Sequence, residues 1–567
     1  MKIIVYLTVL IFITSFKLSA QEKYTLSGTI KDSTTGETLI GVKIRPLELS
    51  GIGAVCNEYG FYSLTLPAGT YTFSVSYPTY KEFQRKITLT ENKTLNINLS
   101  ASVQDLLEVE VSAIKKDGNV TDAQMGVEKI DMNEINKIPV IFGEKDIVKT
   151  LQLLPGVKSA GEGNSGFFVR GGAADQNLIL LDEAPVYNAS HLLGFFSTFN
   201  SDVIKTATLY KGTQPAQYGG RLASVLDIKM NEGNSKRLGM SGGIGLIASR
   251  LTVEAPIVKD KGSFLIAGRR TYADLFLKLS NDQNLRDTKL FFYDLNTKLN
   301  YKFGEKDRVF LSGYFGRDVL GLADFGISWG NATGTARWNH IVNSKLFSNT
   351  SFIVSNYQYD ISIASDDVEI NIGSTLQDYN LKQEFQYFPN SRNKWTFGLN
   401  AIYHGVVPGE VTGNENSGVN NEKQPSKLGL ENAMYVSNEW SINEKFNILY
   451  GLRGTSFSVL GNGENSFRFN EAGEITDTTV YSQNEFAKTY VNVEPRIFMS
   501  YIYSKSASIK GGYARNVQNL HLISNTVSTS PTDVWLPTTI NVKPEISDQV
   551  SLGWFKNFKQ NKYEFSS

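Results

Sequence analysis

Apolar and polar positions alternate along most of the chain after residue 236. One segment has apolar side chains at Val491, Val493, Ile497, Met499, Tyr501 and Tyr503, with Asn492, Glu494, Arg496 and Ser500 between them. Residues 395–403 and 446–453 repeat the pattern. Because successive side chains of a β-strand point to opposite faces, the pattern predicts long strands, each with one apolar and one polar face.

The connections between these strands fall into two classes. About thirteen long strands are predicted, and every second connection is a short polar turn. The short turns lie at residues 259–262, 304–307, 342–345, 389–393, 443–445, 504–507 and 559–562, and longer loops lie at 407–427, 461–488 and 523–543. Tight turns at one end and long loops at the other are typical of a transmembrane β-barrel. A soluble propeller would need a repeat period, and the sequence has none.

The first hundred residues show a different β pattern. Short apolar runs in residues 24–99 are separated by turn residues at regular intervals, which predicts a small β-sandwich over residues 21–100. The segment resembles the carboxypeptidase-regulatory-like domain, a seven-stranded sandwich, through Gly60, Tyr62, Leu64, Leu66, Pro67, Ala68, Gly69 and Tyr71. That domain name implies no peptidase activity.

Two shorter regions separate the sandwich from the barrel pattern. Residues 101–116 are predicted to be a linker with an extended centre. Residues 117–234 combine helix-like patterns, at 129–139 and 144–157, with strands and many glycine turns. This mixture predicts an α+β domain, and residues 235–567 then form the barrel part of a mainly β chain.

The N-terminus has the pattern of a secretory signal peptide. Lys2 precedes an apolar run from Ile3 to Phe16, and residues 17–20 end on a small residue before Gln21. A basic start, a short apolar core and a small residue at the cleavage position predict that residues 1–20 are removed on export. A transmembrane anchor, the alternative, needs a longer apolar stretch.

Composition limits the possible functions. The chain has 56 basic and 56 acidic residues and no basic block, which argues against nucleic-acid binding. The single cysteine, Cys56, cannot form an internal disulfide, and we expect it in a half-buried strand position. The sequence contains no HExxH motif and no evident Ser-His-Asp or Cys-His arrangement. We therefore predict no enzyme activity, no cofactor and no metal site.

The order of these regions, together with two motifs, resembles the TonB-dependent outer-membrane receptors. Residues 169–187, VRGGAADQNLILLDEAPVY, are similar to the first plug signature of that family, and residues 209–230, LYKGTQPAQYGGRLASVLDIKM, to the second. The resemblance implies a receptor that binds a scarce extracellular ligand and imports it through a plugged barrel. It also implies a TonB-type inner-membrane energy transducer as partner and outer-membrane lipid around the barrel.

The same resemblance implies a TonB box before the plug. By position the box would consist of Leu107, Glu108, Val109, Glu110, Val111 and Ser112. An exposed extended segment can add as a strand to the edge of a partner's sheet. An ordinary linker is the alternative, and the short apolar–acidic alternation does not define the register of the box.

The number of strands departs from the family. Family members close about 22 strands around the plug, whereas this sequence has about thirteen and the start of another at residues 563–567. An open sheet edge in lipid leaves backbone groups unpaired at a cost of several kcal/mol each. We therefore expect the chain to be the N-terminal part of a longer receptor, with a partial antiparallel barrel.

Candidate site residues concentrate in the two plug motifs, where the resemblance implies structural and gating roles. Arg170 is expected to be buried and paired with barrel carboxylates, with ligand contact as the alternative. For Asp175 and Asp182, a role in a turn and at a strand end is favoured over cation binding. His191 is expected to be packed or hydrogen-bonded rather than to bind a metal. The motif residues are Arg170, Gly171, Gly172, Asp175, Asp182, Gly219, Gly220 and Arg221.

Energy-coupled import is the leading hypothesis for function. A surface-exposed binding or adhesion protein without transport is the alternative, and a secreted hydrolase is disfavoured because no catalytic constellation is found. Ligand contacts are expected on the plug apices and the long loops, where Trp535 and Tyr481 are aromatic candidates. The cargo stays open, since a siderophore, cobalamin, a peptide, a glycan or a metal complex is compatible with this plug.

Overall fold

Strands dominate the computed structural model, which describes residues 22–102, 118–130, 144–161, 166–421, 424–524, 530–559 and 561–567. The helices in these residues are short, and none is long and apolar enough to cross a bilayer. They are α1 (Gly118–Thr121), α2 (Ile147–Leu151), α3 (Ala273–Leu277) and α4 (Gln283–Asp287). The predicted signal peptide, the candidate TonB box and most of the helix-like segment 129–139 lie outside the described residues.

Residues 22–102 form a two-sheet β-domain, which confirms the predicted sandwich. One sheet has the order β4-β1-β7, with β8 also paired to β1, and the other has the order β3-β2-β5-β6. The described strands number eight rather than seven, and two of them have only two residues each. They are β1 (Lys23–Asp32), β2 (Lys43–Pro46), β3 (Ala54–Val55), β4 (Phe61–Pro67), β5 (Gly69–Ser76), β6 (Phe83–Leu89), β7 (Lys93–Thr94) and β8 (Ile97–Leu99).

Cys56 differs from its predicted half-buried strand position. It directly follows β3 and is fully buried in the sandwich core. Its thiol donates a hydrogen bond to the Leu39 carbonyl oxygen at 2.9 Å and accepts one from the Val42 N–H at 3.2 Å. The residue therefore packs as a small apolar side chain that also joins two segments of the core.

The plug is a mixed α+β domain built on a five-stranded sheet of order β13-β12-β17-β16-β9. Strands β12 and β17 run parallel, and the other pairs are antiparallel. Helix α2 begins after Asp146, whose side chain accepts hydrogen bonds from the Val148 and Lys149 N–H groups. The plug strands are β9 (Val127–Ile130), β10 (Val157–Ser159), β11 (Phe167–Val169), β12 (Asn177–Leu181), β13 (Ala184–Pro185), β14 (Ser190–His191), β15 (Phe196–Ser197), β16 (Ile204–Lys211) and β17 (Ser224–Met230).

The remaining residues form one 15-stranded antiparallel sheet that curves around the plug. Two small hairpins, β29-β30 and β33-β34, lie in its connections. The strands are β18 (Gly239–Ile244), β19 (Ala248–Val258), β20 (Gly262–Thr271), β21 (Lys289–Phe303), β22 (Asp307–Gly321), β23 (Phe325–Asn343), β24 (Leu346–Ser365), β25 (Val368–Asn390), β26 (Asn393–Gly413), β27 (Lys427–Ser441), β28 (Phe446–Leu460), β29 (Asn465–Phe469), β30 (Ile475–Val480), β31 (Phe486–Ser504), β32 (Ala507–Gln518), β33 (Leu520–Ile523), β34 (Val534–Pro537), β35 (Glu545–Phe558) and β36 (Tyr563–Ser566).

The strand order confirms the predicted partial barrel but corrects the strand count. The additional strand is β18, whose glycine-rich sequence GMSGGI carries little apolar alternation. Within the described residues β18 and β36 do not pair with each other, so the sheet is open.

The connections confirm all seven predicted tight turns, which lie at one end of the sheet, called here the tight-turn end. At the opposite end, called the loop end, three connections are also short, at residues 245–247, 322–324 and 366–367. The last two are short because the strands that flank them continue far into the loop region, and β25 alone has 23 residues. The predicted loop 407–427 likewise begins inside β26, which continues to Gly413.

The outer face of the sheet carries a continuous apolar band. On β31 the predicted apolar set faces outward, with Val491 74% exposed, while Glu494 and Arg496 are buried on the inner face. On β25 the outward residues are mostly apolar from Tyr379 to Tyr387 and polar beyond Gln377. Exposed aromatic residues cluster near the tight turns, as in the interfacial girdle of a membrane barrel. They include Trp338, Tyr387, Trp440, Tyr501, Tyr503 and Trp554.

A lysine placed inside this band tests whether it faces lipid. Leu381, on the outer face of β25, is 57% exposed in the middle of the band. We expect Leu381→Lys to lower the free energy of unfolding by about 2–4 kcal/mol, whereas Asn371→Lys, on the same face beyond the band, costs about 0–1 kcal/mol. Urea titration of the chain in lipid vesicles measures both, and equal losses for the two variants would contradict a lipid-facing band.

Candidate functional site

The two plug motifs lie side by side in the plug sheet. Strands β12 and β17 pair in parallel from Asn177↔Ser224 to Leu181↔Ile228. The Ser224 hydroxyl lies 2.6 Å from the Asn177 Oδ1, to which it donates a hydrogen bond. A Cβ on Gly172 would lie 2.5 Å from the Ala223 Cβ, so glycine is required there for the motifs to approach. Each motif therefore positions the other.

A strained two-residue turn ends the first motif. Asp182 and Glu183 connect β12 to β13 with φ values of 47° and 76°. Positive φ at both positions is the type I′ geometry, which normally uses Asn-Gly or Asp-Gly. A non-glycine residue in this left-handed region costs roughly 1–2 kcal/mol. The glutamate at the second position is therefore retained against a local backbone cost, and its contacts must compensate for that cost.

Asp182 forms a buried ion pair with the barrel wall. Its carboxylate lies 2.8 Å from the Lys298 Nζ on β21, and both side chains are 2% exposed. The carboxylate also accepts a hydrogen bond from the Met230 N–H at 3.0 Å, and Lys298 donates to the Met230 carbonyl oxygen at 2.8 Å. Burial raises the pKa of Asp182, but the charges of Lys298 and Arg337 outweigh it, so the net shift is downward.

Glu183 lies where the plug, the barrel and the sandwich meet. Its carboxylate oxygens are 3.5 Å from the Arg337 Nη1 and 3.6 Å from the Lys382 Nζ, both on barrel strands. Ser351 and Asn349 donate hydrogen bonds to it at 3.0 and 3.3 Å. Burial opposes ionisation, but the lysine and arginine charges hold the pKa of Glu183 well below its usual range. The strained turn thus presents a charged carboxylate to partners from three strands.

The loop of the second motif is held by two buried arginines of the barrel. Arg496 Nη1 donates to the carbonyl oxygens of Pro215 and Tyr218 at 2.6 and 2.7 Å. Its Nη2 lies 2.8 Å from the Glu494 carboxylate, which also faces Arg453 at 3.8 Å. A Cβ on Gly219 would lie 2.4 Å from the Arg453 Nε. The plug backbone therefore rests directly on barrel guanidinium groups.

The prediction for Arg170 is wrong in its placement. Arg170 is exposed, has φ 50°, and forms no ion pair with another residue in the described part of the chain. The buried arginines that pair with barrel carboxylates belong to the barrel itself, at Arg269, Arg453 and Arg496. The motif arginine follows directly after β11 at a turn, and its guanidinium lies beside Gly126, where an added Cβ would be 2.7 Å from the Arg170 Nη2.

Two motif residues contact the loop end of the barrel. Asp175 accepts hydrogen bonds from the Gln518 amide at 2.8 Å and the Leu522 N–H at 3.2 Å. The Arg221 guanidinium carbon lies 5.2 Å from the centre of the Trp535 ring. These contacts join the plug to the β32–β35 connection.

The two aromatic candidates have different positions. Trp535 is buried against Arg221 and Tyr187 of the plug, with ring centres 5.2 Å apart for the tyrosine. It therefore acts as an internal contact between plug and loop rather than as an exposed aromatic on a loop. Tyr481 is half-buried beside the β29-β30 hairpin.

His191 is packed and hydrogen-bonded, as predicted. Its Nδ1 lies 2.6 Å from the Asp318 carboxylate and its Nε2 3.5 Å from the Asp294 carboxylate. Its ring stacks on Phe292 with centres 4.1 Å apart. Burial lowers the pKa of His191, but the two carboxylates raise it more, so the net shift is upward. No group of three or more His, Cys, Asp or Glu side chains suited to a metal ion is found among the described residues.

A cavity of about 840 Å³ opens above the plug at the loop end. Its wall comes from the β10-β11 hairpin, from residues 170–175 of the first motif, and from Leu522 and Ser524. Lys158 and Arg170 give this wall exposed positive charge. A cavity of 300–1,000 Å³ is the usual size for a small-molecule site. The first motif therefore contributes one end to a ligand-sized cavity and the other end to the barrel contacts.

Several residues of this interface were not among the predicted site residues. Glu183, Lys298, Arg337, Lys382, Arg453 and Arg496 hold the plug. Most of them occupy inward positions of barrel strands, where the alternation predicts polar side chains but not their partners. Only one local feature of the sequence points to Glu183, which is a charged residue where a two-residue turn after Asp182 normally has glycine.

Removal of the Asp182 charge is expected to destabilise the plug–barrel contact strongly. Asp182→Asn leaves Lys298 buried without its counter-charge, which costs about 3–5 kcal/mol. Glu305→Gln removes the exposed partner of Lys302 on the same strand region and costs about 0–1 kcal/mol. Urea unfolding of both variants measures the difference. The wild-type contribution is present above the unfolded Asp pKa of about 3.9 and is lost as the pH falls through the lower folded value.

The His191 cluster is expected to make stability depend on pH near neutrality. Because the folded pKa of His191 is raised above its ordinary value of 6.5, its contribution is fully present below pH 6.5 and is lost as the pH rises through the folded pKa. In His191→Gln this loss should disappear, whereas His340→Gln, at a half-exposed pair with Asp307, should retain it. Unfolding free energies measured between pH 6 and 9 decide the question, and parallel curves for wild type and His191→Gln would contradict it.

Comparison with protein families gives three adjacent matches. A CarboxypepD_reg-like domain model matches residues 26–111, a TonB-dependent Receptor Plug Domain model matches residues 119–225, and a TonB dependent receptor-like, beta-barrel model matches residues 248–566. The barrel match alone spans more than half of the chain. No curated protein sequence is significantly similar to the chain.

Solved structures share the fold at low sequence identity. The copper transporter OprC aligns with a TM-score of 0.55 at 12% identity over 76% of this chain and 69% of its own. The hemophore receptor HasR of Serratia marcescens gives 0.53 at 11% over 78% and 71%, and the siderophore receptor PirA from Pseudomonas aeruginosa gives 0.52 at 15% over 76% and 72%. These neighbours share the fold, and the plug and barrel family matches show that the chain belongs to the TonB-dependent receptor family.

Proposed function

We propose that this receptor binds a small extracellular ligand and imports it across the outer membrane with energy from a TonB-type transducer. The observation that carries the proposal is the cavity of about 840 Å³ directly above the plug. The cavity wall includes residues 170–175 of the first motif, and the same motif reaches the barrel through Asp182 and Glu183. A ligand in the cavity would therefore contact the segment that must move for passage.

The chemistry of the plug–barrel boundary supports a plug that moves. Many of its contacts are ion pairs and hydrogen bonds, such as those of Asp182, Arg496 and Tyr187, and they lie beside apolar clusters that also cross the boundary. Water can replace a hydrogen bond at a small net cost, typically about 0.5–1.5 kcal/mol. The boundary thus combines specific placement with a route to release.

The proposed domain organisation follows the sequence prediction. Residues 1–20 are the signal peptide, 21–100 the sandwich, 101–116 the linker with the TonB box, 117–234 the plug, and 235–567 the barrel part. Export and the outward apolar band of the sheet support an outer-membrane location, with short turns in the periplasm and long loops outside.

The ligand class is proposed from the cavity and the neighbours. Similar structures carry names that specify copper, heme with its hemophore, and siderophores. Lys158 and Arg170 give the cavity wall positive charge, which favours an anionic metal complex. Ferric siderophores, heme and copper complexes are therefore the first ligands to test.

The candidate TonB box provides the test that separates import from surface binding. We expect deletion of residues 107–112, or Val109→Pro, to abolish uptake and leave ligand binding unchanged, because proline removes a backbone donor from an added strand. Val109→Thr, which keeps the donor and an extended conformation, should retain uptake. Accumulation of ⁵⁵Fe- or ⁶⁴Cu-labelled complexes in cells that produce each variant in the full-length receptor measures this. Uptake that survives the deletion favours a binding or adhesion protein without transport.

A further inference from the structure

The N-terminal sandwich is seated in the tight-turn end of the barrel. Tyr59 and Phe61 pack on Phe347, with ring centres 5.1 and 5.6 Å away, and Phe61 also contacts Phe388. Asn57 donates a hydrogen bond to the Gln386 side chain at 2.9 Å. These barrel residues lie beside the turns at 344–345 and 391–392, so loop 57–61 of the sandwich enters the lumen from the side of the tight turns.

A second loop of the sandwich contacts the segment that follows the last plug strand. The Glu37 carboxylate accepts a hydrogen bond from the Gly233 N–H at 2.9 Å, and the Thr38 N–H donates to Glu232 at 3.3 Å. The Ser235 N–H donates to the Thr35 carbonyl oxygen at 2.8 Å. The sandwich therefore contacts the barrel wall, the plug and the junction between them.

A polar channel beside the plug ends at this seat. The channel has a volume of about 90 Å³ and lies between the plug sheet and barrel strands β24 to β28. Glu58 and Tyr59 line its tight-turn end, and Asp378, Lys382 and His404 line its barrel side. The Tyr59 hydroxyl lies 3.4 Å from the Glu183 carboxylate and accepts a hydrogen bond from Asn349 at 2.9 Å. The sandwich thus forms the wall of the channel at its tight-turn end.

The charged plug and barrel groups that the sandwich contacts each keep a second charged partner. Glu183 retains Arg337 and Lys382 without Tyr59. Glu232, which accepts from Thr38, retains Lys205 at 3.1 Å and Arg308 at 2.9 Å.

Lys229 of the plug also keeps a second charged partner when the sandwich is absent. It pairs with Glu58 of the sandwich at 3.0 Å and retains Asp227 at 3.3 Å without it. Among the described residues, withdrawal of the sandwich therefore leaves no buried charge of the plug or barrel without a counter-charge, whereas withdrawal of the plug separates Asp182 from Lys298. A buried charge left alone is the expensive outcome, so the sandwich is the piece that can leave first.

We propose that the sandwich is a detachable periplasmic gate, which seats loop 57–61 in the lumen, closes the channel beside Glu183 and must withdraw before the plug moves. The chain leaves the sandwich at Leu99 and enters the plug at Gly118, so a force applied between them reaches both domains. The gate depends on the proposed import function only for the direction of passage.

An engineered disulfide tests whether the sandwich is seated. A Cβ on Gly36 lies 3.4 Å from the Ser235 Cβ, close to the 3.5–4.5 Å range of disulfides. Gly41 has the same φ of +77° but no neighbour within 4 Å of its Cβ, so it is a matched control. In isolated outer membranes without ligand, Gly36→Cys with Ser235→Cys should oxidise at least about fivefold more completely than Gly41→Cys with Ser235→Cys. Equal yields overturn the proposal.

Thiol labelling tests whether the seated sandwich closes the channel. Gln217 lines the channel, and its side-chain oxygen makes no hydrogen bond within the described residues. In a Gln217→Cys background, Tyr59→Phe should speed labelling at position 217 by a charged methanethiosulfonate about 2- to 10-fold, because it removes hydrogen bonds that hold the gate. Tyr62→Phe is the control, since the Tyr62 hydroxyl donates only within the sandwich, to the Leu95 carbonyl oxygen.

The two arms give separate outcomes. Forming the 36–235 disulfide in the Tyr59→Phe background should return the labelling rate to that of Tyr62→Phe. If the 36–235 disulfide forms but Tyr59→Phe and Tyr62→Phe give equal labelling rates, the sandwich is seated but does not act as a gate. Neither the disulfide experiment nor the labelling experiment measures uptake. Failure of the gate is therefore distinguishable from failure of the import proposal, which the uptake assays of the TonB-box variants test. Trypsin resistance of each variant verifies that the chain is folded.

Discussion

Buried ion pairs that cross a domain boundary hold the plug in this receptor. Asp182 and Glu183 end the first plug motif, and their counter-charges Lys298, Arg337 and Lys382 all come from barrel strands. Either domain alone would contain an unpaired charge in a low-dielectric environment, which is expensive. The plug is therefore positioned by electrostatic matching with the wall in addition to an apolar core that it shares with Leu265, Ala267 and Tyr314 of the barrel.

This constraint explains the unusual backbone of the first motif. A type I′ turn normally has glycine in its second position, but here Glu183 occupies it at φ 76°. Glycine would remove the strain and also the carboxylate that joins Arg337, Lys382, Ser351 and Asn349. The backbone cost of one residue is small beside several charge-assisted hydrogen bonds, so the strained glutamate is the stable solution.

The charge pairing of the interface between the plug, the sandwich and the barrel differs from the tight-turn end to the loop end. At the tight-turn end, the plug and barrel charges that contact the sandwich have second partners, as Lys229 shows with Glu58 and Asp227. Next to them, Asp182 and Lys298 have only each other as buried charges in direct contact among the described residues. At the loop end, a ligand-sized cavity replaces protein contacts. An order of events, with the sandwich released before the plug, follows from this difference in pairing.

Sequence patterns of period two determined the barrel part and its tight turns. Side chains that alternate along a strand report its two faces directly, so the outward set on β31 and the seven turns could be predicted without the tertiary structure. Strand β18 was not predicted because GMSGGI has too few apolar side chains to show a period of two. The short connections between β22 and β23 and between β24 and β25 were not predicted either. The ends of these long strands extend beyond the apolar band and are polar, so their composition is that of loops.

The partners of the charged residues were decided by the tertiary structure alone. The motif arginine was expected to be the buried one, yet Arg170 is exposed, and Arg453 and Arg496 of the barrel hold the second motif instead. The contacts of these two arginines with the second motif join residues more than two hundred positions apart, as Arg496 does with Pro215 and Arg453 with Ala216. Local sequence specifies that an inward position is polar, but which charge it meets depends on the register of many strands around the plug.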